Sequence, residues 1–341
     1  MSPDSRPCLP ATGNGVLCPR ISVCYKSGMA KAPAPSTLRK WLIAARPWSF
    51  PASAMPVVFG TALAVVIGGA RFSPLRFLWA LVTMMVLHGA ANMLSDVFDF
   101  RHGLDRDVTP VSGAIVRGWL TDTRVLRGAI ALFALGAASG LLIAAVTGPA
   151  LFAVGGIGVA VGVCYTLLKA RALGDLAVFL DFGLLGGAGA WIVQTGRFSW
   201  LPVFWTVPMA LLVIAILHAN NWRDIRSDVE RRVNTVAGLL GDRGSLAYYG
   251  GLVFAPFVID LALVAVPRLA GGRVRPMPLT FLIVLLALPS AVRLWGRAVG
   301  RASPRKPMDF VILDGATANH NLVFGLLSTA AVVLEGFLRR G

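Results

Sequence analysis

Two groups of acidic side chains have the spacing that metal chemistry requires, in a chain with only 16 Asp and Glu residues among 341. Each group combines one asparagine with two aspartates. The groups are Asn92, Asp96 and Asp99 in NMLSDVFD, and Asn221, Asp224 and Asp228 in NWRDIRSD. The spacings i, i+4, i+7 and i, i+3, i+7 each place three side chains on one face of a helix. The sequence therefore predicts two matched faces, each with an amide and two carboxylates.

A cation is the simplest partner for carboxylates held this close together. Two carboxylates about 4 Å apart repel by roughly 4 kcal/mol at an effective dielectric constant near 20. All-oxygen ligands, with no Cys nearby and no His in either group, favour Mg²⁺ over Zn²⁺ or copper. A single acidic pair at a helix end is more often a solvated cap, but two matched groups favour a site. The two groups together therefore predict a Mg²⁺ site.

Magnesium held by few carboxylates completes its coordination shell with water and substrate phosphate. Basic side chains near the two groups are candidates for the opposite side of a diphosphate site. These candidates are Arg117, Lys169, Arg171, Arg223 and Arg226. Each of them, taken singly, is also explained as part of a membrane topology signal.

Composition predicts an all-α membrane protein. Hydrophobic residues make up 56% of the chain and charged residues 14%, and the mean hydropathy is +0.71. Apolar runs of about 20 residues recur, which is the length of a membrane-spanning helix. We place nine spans near 48–70, 76–98, 125–147, 150–168, 174–194, 200–221, 246–267, 278–299 and 317–338. The two acidic groups then lie at the carboxyl-terminal ends of predicted helices 2 and 6, which are on the same side of the membrane.

The distribution of basic residues predicts the orientation. With the amino terminus in the cytoplasm, most of the 32 Lys and Arg residues fall in cytoplasmic loops, as the positive-inside rule requires. The net charge of +16 is thereby explained by anionic lipid and an anionic substrate. The sequence has no basic patch with interleaved aromatic residues, so nucleic-acid binding is not expected. We predict a multi-pass protein of the cell inner (cytoplasmic) membrane, with both acidic groups facing the cytoplasm.

Residues 1–40 differ from the rest, being rich in Pro, Ser, Gly and Lys, and we predict a disordered extension before a transmembrane domain at 41–341. No apolar stretch of signal-peptide type is present there, and Met29 begins a stretch that reads as a natural amino terminus. The four cysteines are Cys8, Cys18, Cys24 and Cys164. They lack metal-binding spacing, so neither a metal site nor a disulfide framework is expected from them.

These motifs resemble those of the UbiA superfamily of intramembrane prenyltransferases, over nearly the whole chain from about residue 41. NMLSDVFDFRHGLD is similar to the first Asp-rich motif of the family and NNWRDIRSDVERRVNT to the second. YTLLKAR supplies Tyr165 and Lys169 at the Tyr-x-x-x-Lys position. The resemblance implies a bundle with its active site at the cytoplasmic ends of helices 2 and 6. It also implies Mg²⁺-dependent transfer of a polyprenyl group from its diphosphate to an aromatic acceptor. The resemblance further implies that Asp96, Asp99, Asp224 and Asp228 hold the metal and are catalytic, with Asn92 and Asn221 orienting these ligands or binding the metal themselves. The residues that we expect to bind substrate are Asn92, Arg117, Tyr165, Lys169, Asn221 and Arg223.

Within the superfamily the chain most resembles the 1,4-dihydroxy-2-naphthoate polyprenyltransferases of menaquinone biosynthesis. The stretches that carry this likeness are ARPWSFPASAMPVVFGTALA, LGDLAVFLDFG, WIVQTG and TANHNLVFGLL. One position departs from the family pattern, because Val233 stands where the second motif usually has a lysine. Arg231 or Arg232 could substitute for it, although an arginine displaced in register does not reach the same phosphate automatically.

Several alternatives stay open at the level of sequence. A secondary transporter is equally apolar, although transporters bind substrate near the membrane midplane. Another acceptor, such as 4-hydroxybenzoate, would leave the reaction unchanged. Oligomeric state and prenyl chain length are not determined. Asp181 and Asp260 lie within apolar spans and are functional candidates by default, and Asp181 could face the substrate cavity or have a structural role. Arg46 could contact the acceptor, but we favour its interpretation as a membrane-interface anchor. His88 could help to deprotonate the acceptor, but we favour a helix–helix hydrogen bond.

Overall fold

A computed structural model of the chain describes residues 35–103, 113–269, 275–301 and 307–339. Within these ranges the chain is helical, and an isolated bridge is its only strand-like pairing, which confirms the all-α prediction. The helices are α1 (Thr37–Ala45), α2 (Pro51–Val66), α3 (Pro74–Arg101), α4 (Asp122–Thr147), α5 (Pro149–Lys169), α6 (Gly174–Thr195), α7 (Trp200–Arg223), α8 (Ile225–Glu230), α9 (Val236–Leu269), α10 (Leu279–Val299) and α11 (Pro307–Leu338). Residues 1–34, which make up most of the predicted extension, lie outside the described part.

Eight helices in the described ranges are long and apolar enough to cross a membrane. A ninth span results if α1 and α2, whose axes are bent by 56°, are counted together with the short 3₁₀ turn between them. This agrees with the prediction of about nine spans. The largest differences in the bounds of single helices are at α9 and α11, which begin at Val236 and Pro307, each ten residues before the predicted starts at 246 and 317. A break at Gly241, with φ of 65°, separates this extra segment from the rest of α9.

Local sequence signals explain where the helices start and stop. Ser73 and Thr121 accept hydrogen bonds from backbone N–H groups in the first turns of α3 and α4, as N-cap residues do. Pro149 begins α5, where a missing N–H has no cost. Gly148 lies between α4 and α5 with φ of 132°, and Gly196 ends α6 with φ of 71°. Residues other than glycine adopt these backbone conformations poorly.

Small residues allow the central helices to approach closely. A Cβ atom at Gly60 of α2 would overlap the carbonyl oxygen of Gly187 in α6. A Cβ atom at Gly183 of α6 would likewise overlap Ala210 of α7. Helix association inside a membrane depends on such close packing, because lipid provides no hydrophobic driving force between helices. Helix α6 is therefore in close contact with α2 at Gly60 and with α7 at Gly183.

Two loops at one end of the bundle are joined by backbone hydrogen bonds. The Ala172 N–H donates to the Asn234 carbonyl at 2.6 Å, and the Asn234 N–H donates to the Ala170 carbonyl at 3.2 Å. These bonds accompany the isolated bridge between Arg171 and Asn234. The loop after α5 is therefore attached to the loop after α8, and both lie beside the acidic groups.

Candidate active site

The first acidic group lies on the last turns of α3, and its two carboxylates contact different cations. Asp96 and Asp99 are both buried. Asp96 forms an ion pair with the guanidinium of Arg46. Asp99 accepts hydrogen bonds from Nζ of Lys169, at 3.2 Å to Oδ1 and 3.1 Å to Oδ2. The two carboxylates therefore face different partners, because Asp96 points towards the end of α1 and Asp99 towards the end of α5.

The position of Arg46 depends on an unusual turn. Arg46 ends α1 in the left-handed region, with φ of 54°, which is rare for a residue with a side chain. The side-chain amide of Asn92 donates to the Ala45 carbonyl at 2.9 Å and to the Ser49 hydroxyl at 3.0 Å, on either side of this turn. The interpretation of Arg46 as an interface anchor did not include its ion pair with Asp96. Asn92 and Asp96 together hold Arg46 against the first acidic group.

The second acidic group spans a helix break rather than one continuous helix. Helix α7 ends at Arg223, Asp224 occupies the break, and Asp228 lies in the short helix α8. Arg223 contacts Asp224 with two nitrogens, Nε to Oδ1 at 2.9 Å and Nη2 to Oδ2 at 2.8 Å. Nη1 of Arg223 also lies 3.8 Å from Oδ2 of Asp314, at the start of the last span. The prediction of a single helical face was therefore wrong in detail, although Asn221 is buried one turn before the break.

Asp228 has a carboxyl group whose pKa is strongly perturbed. Burial raises the pKa of Asp228 to about 7, and the nearby charges of Asp224 and Asp99 raise it further, while Lys169 and the Thr235 hydroxyl oppose the shift. The Thr235 hydroxyl donates to Oδ2 of Asp228 at 3.3 Å. A cation bound beside a carboxyl group of this kind stabilises its ionised form.

Together these contacts connect the two acidic groups into one set of side chains, here called the charge cluster. Its members are Asp96, Asp99, Asp224, Asp228, Asp314, Arg46, Lys169 and Arg223. Lys169 links the groups, because it binds Asp99 and is close enough to Asp228 to lower the pKa of that carboxyl. Arg46 and Arg223 both lie close enough to Asp314 to interact with its charge. The structure therefore brings the four predicted aspartates and Lys169 together.

The composition of the charge cluster fits a hydrated divalent cation. Its five carboxylates outnumber its three cations by two when all are ionised. Within the described residues, no three His, Cys, Asp or Glu side chains are close enough to hold a metal ion by themselves. Magnesium does not require such a cage, since it binds through one or two carboxylates together with water and substrate phosphates. The donors present therefore suit Mg²⁺ that arrives with a diphosphate.

The other predicted site residues lie at the same end of the bundle, with different surroundings. Tyr165 is half-buried one helical turn before Lys169 and packs against the main hydrophobic core. Arg117 lies in the turn before α4, with its guanidinium 5.0 Å from the centre of the Trp119 ring. Arg171 and Arg226 are exposed. The roles assigned to these residues stay predictions.

The position of the missing lysine is occupied by a buried side chain. Val233 is 6% exposed, and its N–H donates to the Asp228 carbonyl at 2.9 Å. Arg231 and Arg232, the predicted substitutes, are both exposed. Within the charge cluster, the cation nearest to Asp228 is Lys169, which comes from a different helix. The cation that faces the Asp228 carboxylate is therefore Lys169, and not a basic residue at the position of the family lysine.

Asp314 was missed by the sequence reasoning, although a signal was present. It lies three residues before the predicted ninth span, so it is an acid at the end of an apolar run. The two other acidic groups were recognised because each has several members, whereas a lone acid has no spacing to interpret. Asp105 and Asp107, which follow the first group in the sequence, lie outside the described residues.

An apolar cavity of about 340 Å³, here called the chamber, lies between α3, α4, α5 and α6. Its lining includes Leu87, Phe133, Val154, Phe182 and Leu185. Ala91, next to Asn92, and Gly162, one turn before Thr166, mark the end of the lining nearest the charge cluster. Leu141 and Phe152, also in the lining, are 59% and 45% exposed, so the chamber opens between α4 and α5 on the outer surface of the bundle.

His88 connects α3 to the start of α2 beside this chamber. Its Nδ1 lies 2.7 Å from the Ser53 hydroxyl and its Nε2 lies 3.2 Å from the Ser49 hydroxyl. Its ring centre is 4.3 Å from that of Phe182, which lines the chamber. The predicted helix–helix hydrogen bond of His88 is therefore confirmed.

Comparison with known sequences gives a consistent set of relatives. A family model described as the UbiA prenyltransferase family matches residues 53–313. UbiA prenyltransferase domain-containing protein 1 of Mus musculus is 31% identical over 310 residues, which cover 86% of this chain and 84% of that protein. The protein of the same name from Xenopus tropicalis is 32% identical over 300 residues, covering 86% of this chain and 81% of that one.

Solved structures share the fold at lower sequence identity. A UbiA homolog from Archaeoglobus fulgidus, bound to DMAPP and Mg²⁺, superposes with a TM-score of 0.58 at 16% identity, covering 85% of this chain and 99% of that chain. The apo structure of a UbiA homolog from Aeropyrum pernix K1 superposes with a TM-score of 0.60 at 19% identity, covering 85% and 98%. These likenesses establish a shared arrangement of helices.

Proposed function

Because the chain belongs to the UbiA prenyltransferase family and is therefore a prenyltransferase, we propose that it transfers a polyprenyl group from a prenyl diphosphate to an aromatic ring, with Mg²⁺ as cofactor. The observation that carries this proposal is the position of the charge cluster at one end of an apolar chamber. A prenyl diphosphate has a highly charged head and a hydrocarbon chain, and the two sites match these two parts. A transporter does not fit the family.

The four aspartates of the two motifs are the proposed metal ligands, with Asn92 and Asn221 as their polar neighbours. When bound, Mg²⁺ neutralises the negative charge that grows on the leaving diphosphate. The Archaeoglobus fulgidus homolog, bound to DMAPP and Mg²⁺, supports this assignment by analogy. Asp228 supports it from the chain itself, because its raised pKa indicates a carboxyl group that an added cation would stabilise.

The cations of the charge cluster are proposed to hold the diphosphate oxygens. Arg46, Lys169 and Arg223 each pair with a carboxylate already, so their side chains are in place before substrate arrives. Groups held in position in this way stabilise developing charge without having to reorganise. Tyr165 and Arg117 are further proposed contacts for the substrate, on the strength of their sequence motifs and their position at this end of the bundle.

In the proposed reaction, the bond between the allylic carbon and the diphosphate oxygen breaks, and the diphosphate leaves with the electron pair. A carbon of the electron-rich ring forms a bond to the allylic carbon, and the ring then loses a proton. If the acceptor is 1,4-dihydroxy-2-naphthoate, the ring loses its carboxylate as CO₂ instead. The chamber contributes by excluding water from the allylic cation, since its lining is almost entirely apolar.

We propose 1,4-dihydroxy-2-naphthoate as the acceptor, and so a role in menaquinone biosynthesis, because of the subfamily stretches in the sequence. A second candidate is the same transfer to another ring, such as 4-hydroxybenzoate. The similarity to UbiA prenyltransferase domain-containing protein 1 from several animals favours keeping this second candidate. The proposed location is the inner membrane, with the amino terminus and the charge cluster on the cytoplasmic side, as the distribution of Lys and Arg favours.

The test is a transfer assay on purified protein with a labelled polyprenyl diphosphate, Mg²⁺ and a panel of aromatic acceptors. We expect Asp96→Ala and Asp224→Ala each to lower the rate by roughly 100-fold or more, since each removes a charge that stabilises the transition state. Asp122→Ala is the matched control, because Asp122 forms an exposed ion pair with Arg101 outside the charge cluster.

Prenylation of dihydroxynaphthoate that requires Mg²⁺ and is lost in both cluster variants would support the whole proposal. Transfer to a different ring only would keep the reaction and replace the acceptor. If the folded wild-type protein releases no diphosphate with any acceptor, the proposed reaction is wrong.

A further inference from the structure

The chamber contains one carboxylate that the proposed chemistry does not use. Asp181 is the third residue of the π-helical segment Phe179–Leu185 in the middle of α6. Its side chain lies against two glycines of α5: a Cβ atom at Gly158 would be 3.0 Å from Oδ1, and one at Gly162 would be 3.5 Å from Oδ2. The absence of side chains at these two positions therefore makes the space that Asp181 occupies. Wide π-helical turns of this kind are frequent at functional sites.

No hydrogen bond or ion pair joins the Asp181 side chain to another residue of the described ranges. The lining around it is apolar apart from Thr83, whose hydroxyl is 2.7 Å from that of Ser139. An ionisable side chain within a membrane span is costly to keep, and such residues generally have a function. Any function of Asp181 must act on what occupies the chamber.

The depth of Asp181 below the charge cluster follows from helix geometry. Gly158 and Gly162 precede Lys169 by eleven and seven residues on α5, which corresponds to about 10–16 Å at 1.5 Å per residue. Asp181 lies seven residues after Gly174 on α6, which gives about 10 Å from the same end. The two helices therefore give consistent depths.

An isoprene unit has four backbone bonds. Its extended length is roughly 5 Å, by the bond geometry that gives 3.3–3.6 Å for the three bonds of an extended peptide residue. A prenyl chain whose diphosphate is held by the charge cluster reaches Asp181 after about two to three units.

We propose that Asp181 is a specificity-determining residue that lowers the preference of the enzyme for donors whose prenyl chain extends past it in the chamber. A hydrocarbon chain has no hydrogen-bond donor or acceptor. When it covers Asp181, it removes water from the carboxyl group without replacing the lost hydrogen bonds. Only donors long enough to reach Asp181 carry this penalty, so shorter donors are favoured. This inference rests on the proposed function.

The experiment compares geranyl diphosphate, whose chain ends near Asp181, with geranylgeranyl diphosphate, whose chain extends past it. The quantity measured is the ratio of kcat/KM for the longer donor to that for the shorter one, with the same acceptor. We expect Asp181→Leu to raise this ratio roughly ten-fold, since it removes a polar group that the longer chain covers without giving it a hydrogen bond. Asp181→Asn should leave the ratio near the wild-type value, because its amide has the same need for hydrogen bonds.

Asp260→Leu is the matched control. Asp260 is also an acid within an apolar span, but it lies in a separate small cavity with Phe257 and Phe281. If Asp181→Leu does not fold, Asp181→Ala removes the carboxyl group without adding volume and carries the same expectation.

An unchanged ratio in the Leu and Ala variants, or an equal change in Asp260→Leu, would overturn the role of Asp181 while leaving the proposed function intact. If the wild-type protein consumes neither donor, the proposed function itself fails. The two failures are thereby distinguished.

Discussion

Replacing Lys169 by methionine is expected to destabilise the protein strongly, because it leaves Asp99 buried without its cation. The side chains of Lys169 and Asp99 are 10% and 13% exposed, so solvent screens the pair only weakly. At the observed separation of 3.1 Å, the Coulomb attraction is about 5 kcal/mol for an effective dielectric constant near 20. Removal of one partner from a buried ion pair typically costs about 3–5 kcal/mol. We expect a loss in this range for Lys169→Met in the presence of a chelator.

A double-mutant cycle isolates the pair. Asp99→Asn alone leaves the buried positive charge of Lys169 without its carboxylate partner. The double variant Asp99→Asn/Lys169→Met removes both charges. The double variant should therefore cost about 2 kcal/mol or more less than the sum of the two single variants. The recovery will be incomplete, since Lys169 also interacts with Asp228.

The assay is denaturant unfolding of detergent-solubilised protein, with folding of each variant checked by size-exclusion chromatography. The same cycle on Arg101 and Asp122, an exposed pair at 2.9 Å, is the control and should show little or no coupling. If the costs at Lys169 and Asp99 simply add, the two side chains do not stabilise each other and the description of the charge cluster is wrong.

Three further outcomes are expected. Thr235→Val should cost about 1 kcal/mol of unfolding free energy, because it loses the hydroxyl that binds Asp228 and caps α9, and Thr235→Ser should keep it. Gly60→Val should abolish the monodisperse peak in size-exclusion chromatography, because its Cβ would overlap the backbone of α6, whereas Gly251→Val, with open space around its Cβ, should keep that peak. Arg223→Lys should raise KM for the diphosphate several-fold in steady-state assays, because lysine cannot reproduce its two-nitrogen contact, and an unchanged KM would contradict the proposed phosphate contact.

The spans and the two acidic groups could be predicted from the sequence because both signals are local. A run of about 20 apolar residues has few structural solutions in a membrane. Asn92, Asp96 and Asp99 have helical spacing within a helix that does form, so their proximity follows from the helix itself. The position of both groups at the same end of the bundle was also predictable, because alternating spans return every second helix end to the same side.

The partners of the acids were not predictable, because they depend on long-range packing and on backbone conformation. Arg46 lies 50 residues before Asp96, and it reaches the carboxylate only from a left-handed turn. The break at Asp224 has no breaker residue such as glycine or proline to mark it. Asp314 is a lone acid in the sequence, so no spacing marked it as a member of the site. A local pattern of residue types does not indicate which distant turn will place a basic side chain beside an acidic one.

The hydrogen-bonded bridge between residues 170–172 and Asn234 has a consequence for the design of chimaeric enzymes. Each strand of the bridge continues directly into a site residue, Lys169 on one side and Thr235 on the other. A loop imported from a relative into only one of these positions would have to pair with a host loop that it never evolved with. The two loops therefore form a single exchangeable module, although 61 residues (173–233) separate them in the sequence, and donor or acceptor preference should be transplanted by replacing both together.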